Sequence, residues 1–210
     1  MPTVPMFPLE TATLPGEELP LRIFEPRYSA LVQACLAADD PAFGTVLIEA
    51  GREVGGGDSR SDVGTLAHIV EYVELGEGRY AMKCAIRERF RVIEWLPDDP
   101  YPRAVVELWP DEPGAAVTVD QIRDIEDRMV ALFERIASAR GAQVNARDIV
   151  HGADESGDAA MWLYALTARL PMGQADRYSV LAAPTAADRV SALSEAVDTV
   201  TAMVEFQLSE

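Results

Sequence analysis

The hydrophobic positions of this chain change their spacing twice. "TVPMFPL" and "ELPLRIF", residues 3–9 and 18–24, are apolar, extended and dotted with prolines. Proline cannot donate a ladder hydrogen bond, so both segments are predicted at the edges or bulges of a sheet. Tyr28, Leu31, Val32, Cys35 and Leu36 then follow at i, i+3, i+4, i+7 and i+8. That spacing predicts a helix opened by Pro26 in its first turn and stopped by Asp39, Asp40 and Pro41. Strands are predicted at residues 43–49, 64–73, 80–86, 90–96 and 104–109. Their separators are turn-formers: a glycine-rich loop "GREVGGGDSRSD", a hairpin signal "GEG" and a rigid "PDDPYP". Many short strands with a single early helix favour a closed or nearly closed β-barrel over a parallel α/β sheet.

Beyond "PDEPGAAV", residues 110–117, the spacing is helical throughout. Thr118 and Gln121 have the spacing of a capping box, and Ile122, Ile125, Met129, Leu132, Phe133 and Ile136 form the apolar stripe of a long helix ended by Gly141. A second helix is predicted from Asp158 to Leu170 and a short third over "ADRYSVLAA". A last one starts at Thr185 and Asp188 and carries Val190, Leu193, Val197, Val204 and Leu208. The expectation is an α+β chain, with a β-barrel and its inserted helix over residues 1–113 and a helical bundle over residues 114–210.

Charge narrows the range of partners. Thirty-five acidic residues against 18 basic ones leave a formal charge of −17, which repels phosphate backbones and anionic lipid heads, so neither nucleic acid nor membrane is expected. Lys83 is the one lysine; this bias toward arginine suggests a GC-rich bacterial genome. The N-terminus lacks a basic, then apolar, signal pattern and no run approaches the ~20 apolar residues of a membrane span, so the expected location is the cytoplasm. Cys35 and Cys84 each sit in an apolar pattern, as small buried thiols do.

The usual chemical motifs are missing. No lysine follows a glycine cluster as a phosphate-binding loop requires, and "GGGDSRSD" reads as a surface loop. His68, mid-strand, and His151, in a loop, have no His or Cys partner at ligand spacing, so no metal or other cofactor is expected. A serine–lysine pair has only Lys83 to use, in the middle of a predicted strand, and no G-x-S-x-G elbow exists. Pairing of Cys35 or Cys84 with a histidine is a matter of geometry that spacing leaves open. The acidic clusters "DIED", "GADESGD" and "PDDP" read as solvated faces and helix starts.

"FPL", "LPGEELPLRIFEPRYSAL", "VGTLAHIVEY" and "RFRVIEW" occur in an order and spacing that resembles the N-terminal substrate-binding domain of the Lon ATP-dependent protease family, over about residues 4–109. The resemblance implies a PUA-like β-barrel with an inserted helix, followed by helices. It also implies a non-catalytic protein-binding role, because the chain carries neither the ATPase nor the peptidase module of that family. The expected partners are unfolded or partly unfolded protein segments, or another protein for which the chain is an adaptor. Ile86 stands where relatives have glycine before the arginine-bearing strand, which leaves a turn or bulge there open. Glu25 precedes the helix start, where the dipole favours a carboxylate, and is expected to pair with Arg89 or Arg91, or locally with Arg27, so fastening the helix to the barrel. Tyr28 completes the motif. Phe43, Trp95, Tyr101 and Trp109 are the candidate aromatic contacts, at the barrel edge or between barrel and helices. The alternative is an enzyme processing a small molecule or nucleotide in a pocket at the barrel mouth.

Overall fold

The computed structural model describes residues 1–50, 59–150 and 158–209. Six strands and six helices follow in the order β1 (Thr3–Leu9), β2 (Glu18–Ile23), α1 (Pro26–Leu36), β3 (Ala42–Ala50), β4 (Ser59–Gly76), β5 (Arg79–Leu96), β6 (Arg103–Leu108), α2 (Val119–Ala139), α3 (Ala146–Val150), α4 (Ala159–Arg169), α5 (Gln174–Leu181) and α6 (Ala186–Ser209). The chain divides into two compact units, Met1–Pro110 and Asp111–Glu210.

In the first unit the strands form one mixed sheet, β2-β5-β4-β3-β1-β6, with β6 also paired to β5. The pairings β1–β3–β4–β5–β6–β1 therefore run in a ring, with β2 added outside it. β1 is parallel to β3 and antiparallel to β6, and the other ladders are antiparallel. The sheet closes because β5 is long enough to change partner: residues 80–85 pair with β2, and residues 90–96 pair with β6.

Three local expectations need correction. Residues 79–96 form one strand, where two were expected. One extra residue in β5 shifts the register between Ala67↔Ile86 and Thr65↔Arg89, so the expected break is a bulge, formed without a glycine. Ser59, Arg60, Ser61 and Asp62 belong to β4 rather than to the glycine-rich loop, whose residues 51–58 lie outside the described residues, as does His151. β1 is an interior strand despite Pro5 and Pro8. Its residues 3–5 pair with β6 and residues 6–9 with β3, so each half keeps an unpaired side on which a proline costs no ladder bond. β2 alone occupies the edge expected of both.

Alternation sends the two faces of the sheet to different apolar clusters. Met6, Val46, Phe90, Ala104 and Val106 pack on one face. Phe90 lies so close to Gly44 and Gly64 that a Cβ there would come within 2.9 Å and 2.7 Å of its ring. On the other face α1 buries Tyr28, Leu31, Val32 and Cys35, the predicted stripe, against Phe7, Phe43, Tyr80, Met82, Cys84 and Ile86. A buried hydroxyl triad links Thr13, in the β1–β2 connection, to Thr45 and Thr65. The Oγ1 separations are 2.7 Å for Thr13–Thr45, 2.6 Å for Thr13–Thr65 and 2.9 Å for Thr45–Thr65.

The second unit contains α2 to α6 around a single cluster that includes Ile122, Ile125, Met129, Leu163, Leu166, Val180, Leu193 and Val197. Both predicted helix starts are formed. Gln121 N–H donates to Thr118 Oγ1 while Gln121 Oε1 accepts from Thr118 N–H, and Asp188 answers Thr185 in the same way. Gly141 ends α2 with φ +63°. The five-residue α3 escaped the periodicity because it is too short to repeat. Arg189 is fully buried, held by both carboxylate oxygens of Asp111 at 2.9 Å and 2.7 Å and stacked 4.2 Å from the Tyr164 ring centroid.

Candidate functional site

β2 alternates outward Glu18, Pro20 and Arg22 with inward Leu19, Leu21 and Ile23, and each inward residue lies opposite a buried residue of β5: Cys84, Met82 and Tyr80. Two concavities flank this strand and share Pro20, Leu21 and Arg22. One, of about 220 Å³, is lined by Phe7, Leu9, Ile23, Phe24 and Tyr28. The other, of about 500 Å³, extends over Tyr72, Val73, Ala81, Met82 and Lys83 of the β4–β5 hairpin. Large apolar side chains stand in solvent here: Phe24 is 64% exposed, Tyr72 53% and Val73 61%.

The hairpin reaches this far because its two-residue turn, Glu77 and Gly78, adopts positive φ at both positions, +56° and +70°, which matches the twist of the paired strands. Ser29 Oγ, in the first turn of α1, donates to the Gly78 carbonyl at 2.5 Å and to the Glu25 carbonyl at 3.1 Å. This contact fastens the inserted helix to the hairpin, and it is the functional detail that motif reading missed; its only signal was a hydroxyl at the fourth position of the helix.

Glu25 finds one of its expected arginines but does not fasten the helix. As the residue before α1 it makes no side-chain cap, and its ion-pair partner is the neighbouring Arg27, at 3.1 Å. A contact between residues two apart cannot hold a helix to a sheet. The local alternative among the three arginines is the one realised. Arg27 also lies over the Tyr28 ring, 4.4 Å from its centroid, and Tyr28 stacks on Phe7 at 4.1 Å; Glu25 and Tyr28 line the smaller concavity and Arg27 does not.

Arg89 and Arg91 sit elsewhere, two residues apart on one face of β5, with their guanidinium groups 4.1 Å and 3.4 Å from the Trp109 ring centroid. Arg89 Nε donates to the Trp109 carbonyl at 2.8 Å. Arg89 is buried because that carbonyl and ring replace the water it loses. Phe43 is fully buried and Trp109 nearly so, and both act as core in this conformation. Trp95 and Tyr101 are half-buried, the former under Arg60, which also pairs with Asp98 at 2.8 Å. Glu25, Arg27, Tyr28, Phe43 and Tyr101 therefore gather around α1, Arg89 and Arg91 around Trp109, and Trp95 stands apart under Arg60; the open apolar surface adjoins the first group.

The family model of the ATP-dependent protease La (LON) substrate-binding domain matches residues 3–199. The chain belongs to the Lon substrate-binding domain family. It is 32% identical over 111 residues to Lon protease 2 of Myxococcus xanthus and 30% identical over 110 residues to the Lon protease of Anaeromyxobacter dehalogenans (strain 2CP-C). Those alignments take in 52% and 51% of this chain and 13% of each relative. Two solved structures share the fold: a Lon N-terminal domain protein from Xanthomonas campestris, with TM-score 0.66, 22% identity and coverage of 93% of this chain and 98% of that one, and the N-terminal domain of Mycobacterium avium complex Lon protease, with TM-score 0.61, 17% identity and coverage of 94% and 98%.

Burial pushes the Cys35 thiol up to about 12, and burial followed by the nearby Cys35 does the same to Cys84, so neither is a thiolate near neutral pH. The Lys83 ammonium faces Glu71 at 3.7 Å. His68 lies between Asp40 at 3.1 Å and Glu88 at 3.3 Å. Among the described residues no three His, Cys, Asp or Glu groups are placed to hold a metal ion, and no helix is long and apolar enough to cross a membrane.

Proposed function

We propose that this chain is a non-catalytic protein-binding module: a PUA-like barrel that holds exposed or unfolded segments of other proteins in the cytoplasm, as a recognition element or adaptor. The observation that carries the reading is the open apolar surface around Pro20–Arg22, where two concavities meet beneath Phe24, Tyr72 and Val73. Solvent-exposed aromatic and branched side chains over a concave floor are what an apolar client segment would cover. Covering the exposed 64% of Phe24 contributes on the order of 1–2 kcal/mol. Family membership supports the same role, and the protonated thiols and the Glu71-paired lysine offer no activated nucleophile.

The test is retention of unfolded casein by the purified chain, followed by gel analysis of the recovered casein. Intact casein is expected to bind, and Phe24→Ser with Tyr72→Ser to lose most of the binding without a change in melting temperature. Casein fragments that disappear on Lys83→Ala would overturn the non-catalytic assignment, and full retention by the double variant would place the site elsewhere.

A further inference from the structure

We infer that clients dock on β2 by strand addition, as an extended apolar–acidic–apolar segment whose acidic side chain meets Arg22. The inference rests on the protein-binding reading and names the chemistry of what is bound.

The register of β2 decides which of its backbone groups are free. Ile86 N–H donates to the Glu17 carbonyl at 2.9 Å, and the ladder continues as Leu19↔Cys84, Leu21↔Met82 and Ile23↔Tyr80. In an antiparallel ladder the odd-numbered residues of β2 thus point their backbone groups at β5, and Glu18, Pro20 and Arg22 point theirs away. Pro20, which has no N–H, falls on the side where the ladder needs none. Among the described residues β2 pairs with no other strand. Its outer edge offers the N–H and C=O of Arg22, the C=O of Pro20 and the N–H and C=O of Glu18.

A strand added there is read by β2 on alternate sides. Its residue opposite Arg22 exchanges both backbone bonds with Arg22 and carries its side chain on the same, outward face, in cross-strand contact. Arg22 is exposed, and among the described residues no carboxylate pairs with it, in a chain where Arg27, Arg60, Arg128 and Arg189 each have one. An Asp or Glu is the complementary residue. The next residues on either side fall opposite Leu21 and Ile23 and point inward, over the 220 Å³ concavity of Phe7, Leu9 and Tyr28, so they are apolar. Main-chain bonds then supply affinity and the alternating side chains supply selectivity.

A second copy of the chain fits this edge poorly. The two-fold register that brings Glu18 to Arg22 sets Pro20 against Pro20, two carbonyls with no donor between them, and each copy carries a charge of −17.

The experiment titrates the intact chain with a labelled peptide, acetyl-Thr-Val-Asp-Val-Thr-amide, and with two relatives: Asp replaced by Lys, and the Asp amide nitrogen methylated. The Lys peptide is expected to bind about tenfold more weakly and the methylated one to be lost. Arg22→Glu is expected to reverse the order, taking the Lys peptide over the Asp peptide. Equal binding of all three, or an unchanged order in Arg22→Glu, overturns strand addition. If casein is still retained in that case, the protein-binding role survives without it; if casein and peptides all fail to bind, both readings fall. Self-association that Arg22→Glu abolishes overturns the inference by naming the chain itself as the occupant.

Discussion

Replacing Thr65 with valine removes one hydroxyl from the buried triad and hardly changes the side-chain volume. Two contacts are lost, to Thr13 at 2.6 Å and to Thr45 at 2.9 Å, while Thr13 and Thr45 keep each other at 2.7 Å and Thr45 keeps the Thr65 carbonyl at 3.1 Å. No polar atom is orphaned. Two net hydrogen bonds amount to about 1–3 kcal/mol and the added buried methyl returns about 0.8, so the expected loss is roughly 0.2–2 kcal/mol. Thr13→Val is expected to cost a similar amount. Because both single changes delete the Thr13–Thr65 contact, the double variant should cost about 1 kcal/mol less than their sum.

The assay is amide hydrogen exchange of β3 and β4 across a urea series, which reads the opening of this unit without interference from the helical one. Additivity within ~0.5 kcal/mol would refute the coupled network. The consequence reaches the binding edge. Thr13 lies in the connection that runs into β2, where Leu14 N–H donates to Glu17 Oε2 at 2.8 Å and Gly16 N–H donates to the Ile86 carbonyl at 2.9 Å. Faster exchange is therefore expected at Gly16 in both single variants.

Three further outcomes follow from the same contacts. Ser29→Ala deletes the tie to the Gly78 carbonyl and should lower stability by about 1–2 kcal/mol, whereas Glu25→Ala, which loses a local pair at the solvent boundary, should cost under ~1 kcal/mol; thermal melts compare them, and the reverse order would return the fastening role to Glu25. Asp111→Ala leaves the buried Arg189 guanidinium without its carboxylate and should destabilise the helical unit by about 3 kcal/mol in urea, with Arg189→Met in the same chain recovering much of the loss. The folded thiols bind their protons more tightly than unfolded ones, whose value is near 9.0, so stability is unaffected by them below that pH and falls as pH rises from there toward about 12, by ~1.4 kcal/mol per thiol for each pH step of one. Cys35→Ala and Cys84→Ala should each flatten that alkaline slope in urea titrations, and an unchanged slope would contradict it.

Spacing alone determined the helix at Tyr28–Leu36, the two capped helix starts at Thr118 and Thr185 and the hairpin at Glu77–Gly78. Each depends on a period or on residues within four positions of one another, and such local preferences survive whatever surrounds them. The quoted motifs were enough to indicate the Lon family. What the linear text could not express is distance across the sheet. Arg89 carries the same charge as Arg27 and either could have met Glu25; only the bulge near Ile86 and the path of β6 put Trp109 over Arg89 and left Glu25 to its neighbour. Phe43 and Phe24 are the same residue type, yet one is sealed beneath α1 and the other stands in solvent beside β2. Burial and pairing depend on which strands become neighbours, a property of the assembled sheet, and so the open edge that carries Glu18, Pro20 and Arg22 emerges only when the chain is folded.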